Sequence, residues 1–81
     1  MIEQIRQVKA RHQNHLLSLA NVVGLGIGLK QTNGELTEQL ALIVNVRQKL
    51  PLSALAPADV VPPEIDGVVT DVQDVGQLTP L

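Results

Sequence analysis

The sequence predicts an α+β domain in which one amphipathic helix packs on a small, mainly antiparallel three-stranded sheet. Three observations carry this reading. Apolar residues Ile2, Ile5, Val8, Leu16 and Leu19 recur at helical spacing, with no Gly or Pro among the first twenty positions. Two apolar runs follow, joined across Asn33-Gly34, a pair suited to a type I′ hairpin turn because both central residues there need positive φ. A third alternating run, Val68 to Val75, starts after an Asp66-Gly67 turn. The expected order is helix, strand, strand, short helical turn, strand.

In chain order, Met1 to about Ala20 forms the helix, with His12 on its apolar stripe. Val22 to Gln31 and Leu36 to Arg47 form the hairpin. With Asn33 and Gly34 as loop residues, Thr32 faces Glu35, and pairing backwards sets Ile27 opposite Leu40, Leu25 opposite Leu42 and Val23 opposite Val44. That face is wholly aliphatic, and the helix should lie across it. The other face pairs Gly28 with Gln39, Gly26 with Ala41, Gly24 with Ile43 and Val22 with Asn45. Alternating glycines cost a strand entropy and pack nothing, so a backbone or another surface is expected to approach them closely. Leu50 to Ala58 should make one helical turn that Pro57 ends, and Val60 to Pro63 should be extended, because residues preceding proline avoid helical conformations. The third strand places Val68, Thr70 and Val72 on one side and Val69, Asp71, Gln73 and Val75 on the other. Residues 1–76 read as one domain and 77–81 as a tail or the start of a linker.

Composition narrows the function. An 81-residue chain supports one modest core, here aliphatic because Phe, Tyr and Trp are absent. Without aromatics there are no base-stacking platforms, cation-π cages or bulky interface anchors. Without cysteine there is no thiolate nucleophile and no Cys-ligated zinc. Neither a signal peptide nor a membrane span is visible, so a cytoplasmic location is expected. All the basic residues precede Pro51, whereas Asp59, Glu64, Asp66, Asp71 and Asp74 follow it, so the two halves should attract within the fold or across a symmetric contact.

Candidate chemistry is sparse. Gly24-Leu-Gly-Ile-Gly28 lacks the spacing of a phosphate loop and leads into a turn, not a helix N-terminus. His12 and His15 share a helix face but have no third ligand at motif spacing. Ser18 and Ser53 lie outside any nucleophile motif, and nothing tunes Asp66, Asp71 or Asp74 for acid-base work. The expectation is a non-enzyme with no catalytic residue, cofactor, metal or small-molecule substrate. Weak contact of the N-terminal helix with nucleic acid or anionic membrane is a minor alternative, since that helix holds only three cationic residues beside its histidines.

Three blocks carry a family resemblance: Asn21-Val-Val-Gly-Leu-Gly-Ile-Gly-Leu-Lys30, Leu40-Ala-Leu-Ile-Val-Asn-Val-Arg-Gln-Lys-Leu-Pro51 and Val61-Pro-Pro-Glu-Ile-Asp-Gly-Val-Val-Thr-Asp-Val72. In this order they resemble the region preceding the peptidase domain in bacterial trypsin-like serine peptidase homologues, a group similar to the plant narrow-leaf proteins. The resemblance covers about residues 20 to 76. It implies a non-catalytic accessory module, with no catalytic residue to carry over and a peptidase domain as a partner in cis or trans. Two functions follow as expectations: a protein-interaction and assembly module, or a prosegment-like regulator that covers a peptidase active site. A homo-oligomer is expected, formed through the patch of Val22, Gly24, Gly26, Gly28, Ala41 and Ile43 or through edge pairing of the third strand.

Overall fold

A computed structural model describes residues 1–74. The fold is α+β: helix α1 (Ile2–Leu17) and strands β1 (Val22–Thr32), β2 (Glu35–Val46), β3 (Glu64–Ile65) and β4 (Val68–Asp74), with 3₁₀ turns at Leu52–Ala54 and Pro57–Asp59. The sheet is four-stranded in the order β1-β2-β4-β3. It is mixed, because β2 and β4 run parallel while the two hairpins are antiparallel. The expected three-stranded sheet therefore gains a short strand, and its last long strand pairs in parallel with β2 and only over Val68–Val69 with β3.

The stripe of α1 works as its spacing dictates. Ile5, Val8 and Leu16 are buried, and Leu19 just beyond the helix joins them, while Ile2 stays exposed. They pack with Leu42 and Val68, flanked by Val22, Leu25, Ile27, Leu40, Val61 and Ile65. Full burial of side chains such as Ile5, Leu16 and Leu42 stabilises by about 1.5–3 kcal/mol each. The helix stops short of Ala20, and the exposed Ser18 bonds back onto its last turn, its Oγ donating to the His15 carbonyl at 2.5 Å.

Asn21 then redirects the chain at φ 75°. Its side chain clamps the far end of β2: Nδ2 donates to the Gln48 carbonyl and Oδ1 accepts the Gln48 amide at 3.2 Å. The Arg47 amide donates to the Asn21 carbonyl at 2.9 Å.

The hairpin turns at Asn33 and Gly34, both at positive φ, and Thr32 faces Glu35. Past the tip, the register departs from expectation. Leu29 pairs with Leu40, Ile27 with Leu42 and Leu25 with Val44. Three residues of β2, Thr37 to Gln39, stand against Lys30 alone, and Thr37 Oγ1 donates to the Lys30 carbonyl at 2.8 Å. This offset of two residues keeps every side chain on its expected face. A second irregularity at Val22–Gly24 offsets the pairing by one, which brings Val22 into the core and leaves Val23 exposed. Val22 and Val23 thus exchange their expected sides.

The crossover from β2 to β4 contains both 3₁₀ turns, and Pro57, expected to end a turn, instead begins the second one, where its fixed φ suits the first helical position. The Asp59 carboxylate accepts the Ala20 amide at 3.1 Å and ties this crossover to the end of α1. Asp66 and Gly67, both at positive φ, turn β3 into β4. The one buried polar side chain among the described residues, Thr70, donates to the Pro62 carbonyl. Val75, Gly76 and the expected tail at 77–81 lie outside the described residues.

Candidate interaction surface

The face of the sheet opposite α1 carries Gly24, Gly26 and Gly28 on β1, Ala41, Ile43 and Asn45 on β2, and Asp71 and Gln73 on β4. It is not a bare apolar patch. Ala41 is fully buried and Ile43 nearly so. Their cover comes from the hairpin itself: the Gln31 amide donates to Asp71 Oδ2 at 2.8 Å, and Gln73 Nε2 reaches the Leu29 carbonyl at 3.4 Å and Asp71 Oδ2 at 3.0 Å. β1 and β4 meet in this way although β2 lies between them in the sheet. The distal hairpin must therefore curl over this face, with the glycines on the inner side of the curve.

Close approach within the chain is modest. A Cβ at Gly28 would meet Ile43 Cγ1 at 3.5 Å, one at Gly24 would meet Asn45 Nδ2 at 3.8 Å, and one at Gly26 would meet nothing within 4 Å. Of the six residues expected to form an interaction patch, five share this face. Val22 is packed in the core, and Ala41 and Ile43 are already covered.

The exposed feature is the edge. Among the described residues, β1 has β2 on one side and no strand on the other, while β4 has β2 on one side and the two-residue β3 on the other. The expected edge of the third long strand is shortened, since β3 pairs only with Val68 and Val69 while β2 pairs with Thr70 to Asp74. β1 contains no proline and one charge, Lys30. Its pairing with β2 is regular from Gly24 to Leu29, between the two irregularities. Leu29 falls on the helix side beside Leu40, yet remains 39% exposed, and Val23 is 47% exposed. Natural edges are usually short, charged, covered or kinked. Here the kinks stand at each end of the regular stretch, and the one charge, Lys30, lies in one of them. Neither Val23 nor Leu29 stood out in the sequence, because each lies in an apolar run and its exposure depends on where the bulge and the end of the helix fall.

The remaining polar cluster joins α1 to the β3-β4 turn. Asp66 Oδ2 accepts from His12 Nε2 at 2.8 Å and from Arg11 Nη1 at 2.9 Å. The hydrogen bond from His12, then that from Arg11, hold the Asp66 carboxyl below its ordinary 3.8. His12 occupies the gap in the apolar stripe between Val8 and Leu16 and spends its ring nitrogen on this turn, while His15 is exposed. Basic first half and acidic second half do meet here within one chain. Among the described residues, no three His, Cys, Asp or Glu side chains converge as metal ligands would. A hollow of about 120 Å³ beside the Asn21 clamp is lined chiefly by Val22, Val46, Leu50, Leu55, Val61 and Val72. No helix among the described residues is long and apolar enough to cross a membrane.

No protein-family model matches the chain, and no curated protein matches it significantly.

Proposed function

We propose that this chain is a non-catalytic protein-interaction module that self-associates and works beside a trypsin-like peptidase homologue in the cytoplasm. The observation that carries the self-association is the edge of β1, whose regular stretch from Gly24 to Leu29 has neither charge nor proline and ends at a half-exposed leucine. Such an edge offers backbone donors and acceptors to another strand and presents nothing that repels one. The polar clusters hold the fold together: Asp66 joins helix to turn, and Asp71 fixes the curled hairpin. This use of the carboxylates supports a scaffold more than a reaction centre. Association with a peptidase, in cis or in trans, rests on the sequence resemblance of residues 20 to 76.

Light scattering over a concentration series tests the first part, with a homo-oligomer expected and a monomer at high micromolar concentration counting against it. Addition of a trypsin-like peptidase domain tests the second. Co-elution without loss of peptidase activity is the expected result, and co-elution with inhibition would make the chain a prosegment-like regulator instead.

A further inference from the structure

We infer that the occupant of the β1 edge is β1 of a second copy, paired antiparallel about a two-fold axis at Ile27, so that two four-stranded sheets become one continuous sheet. This inference rests on the self-association proposed above and specifies its geometry.

The argument starts from symmetry. In an antiparallel pair related by a two-fold axis, one residue must face its own copy, because neighbouring side chains alternate faces and directly opposed ones share a face. With Ile27 at the axis, Leu25 faces Leu29 of the second copy on the helix side, and Gly26 faces Gly28 on the other. Lys30, the one charge of β1, faces Gly24, which has no side chain to obstruct it. A parallel, in-register pairing would instead set Lys30 against Lys30, which like-charge repulsion disfavours.

An axis at Gly28 would set Leu25 against Gln31, beyond the irregularity between Leu29 and Gln31, and Leu29 decides between the axis at Ile27 and one at Gly26. It sits on the helix side next to Leu40 and is nevertheless 39% exposed. The axis at Ile27 covers it with Leu25 of the second copy. Moving the axis to Gly26 would set Leu29 against Val23, at the irregularity between Val22 and Gly24 where the pleat is broken.

The register is measurable because the chain has no cysteine. A spin label at Lys30→Cys should report a label separation on the order of 20 Å, six residues at about 3.4 Å each, and the axis at Gly26 would give roughly 27 Å. Leu29→Lys, at an exposed position, should leave the circular dichroism of the fold unchanged and weaken the dimer at least about tenfold, the loss expected for failing to bury one leucine. A dimer indifferent to Leu29→Lys, with labels more than about 30 Å apart, would overturn the inference and leave self-association standing through another surface. A monomer at every concentration would overturn both.

Discussion

Replacing Asn21 tests how the helix is joined to the sheet. Asn21 stands at φ 75°, half-buried, and exchanges two side-chain hydrogen bonds with the backbone of Gln48. Each such bond contributes about 0.5–1 kcal/mol at a half-buried site. A Cβ-bearing residue without a local polar side chain adds about 1 kcal/mol of left-handed strain. Asn21→Ala should therefore destabilise by about 2–3 kcal/mol, and Asn21→Gly, which relieves the strain but loses the clamp, by about 1–2 kcal/mol. In a domain of this size the alanine change is a large share of the whole, about 4–12 kcal/mol on the usual per-residue scale. It should lower Tm by roughly 8–24 °C. Urea and thermal melts of the three proteins give the comparison. If alanine is no worse than glycine, the backbone argument fails. If both lie within about 0.5 kcal/mol of the parent, below the ordinary worth of even one hydrogen bond, the clamp contributes nothing.

Further outcomes follow from other contacts. Gly26→Ala should stabilise by about 0.5–1 kcal/mol, the backbone entropy that glycine forfeits, since its Cβ would meet nothing; a loss of stability in urea would mean that another chain packs there. Ala41→Glu and Ile43→Lys, at positions buried within the chain, should lower the folded fraction instead of releasing folded monomers, which circular dichroism and light scattering together distinguish. Asp66 has a folded pKa below its ordinary 3.8, so the unfolded state binds the proton more readily, and its contribution is present above that value and lost as pH falls through the lowered folded pKa. Asp66→Asn, which also tolerates the positive φ, should flatten the acid limb of the urea midpoint against pH, and an unchanged limb would remove Asp66 from the account.

The parts of this fold set by local chemistry were legible, and those set by an extra residue or a distant neighbour were not. Asn33-Gly34 and Asp66-Gly67 turn where their left-handed tolerance requires. The excess of Thr37 to Gln39 over Lys30 leaves no mark in the sequence and does no harm, because an offset of two returns each side chain to its own face. The single-residue offset near Val22 did matter, since it moved Val22 into the core and Val23 out, and no residue type there announces a bulge. One signal was available for the central strand. Ala41 to Val44 is a continuous apolar run, the pattern of a strand covered on both faces and flanked on both edges, whereas a strand with one wet face alternates. That run required a second cover and a second neighbour, which the curled hairpin and parallel β4 supply. The glycines take a new meaning from the same fact. They line the inner side of a curled hairpin, where a Cβ at Gly28 would meet Ile43 at ordinary contact distance and one at Gly26 would meet nothing among the described residues. What the curl leaves open among the described residues is the outer edge of β1, where the proposed second strand would pair.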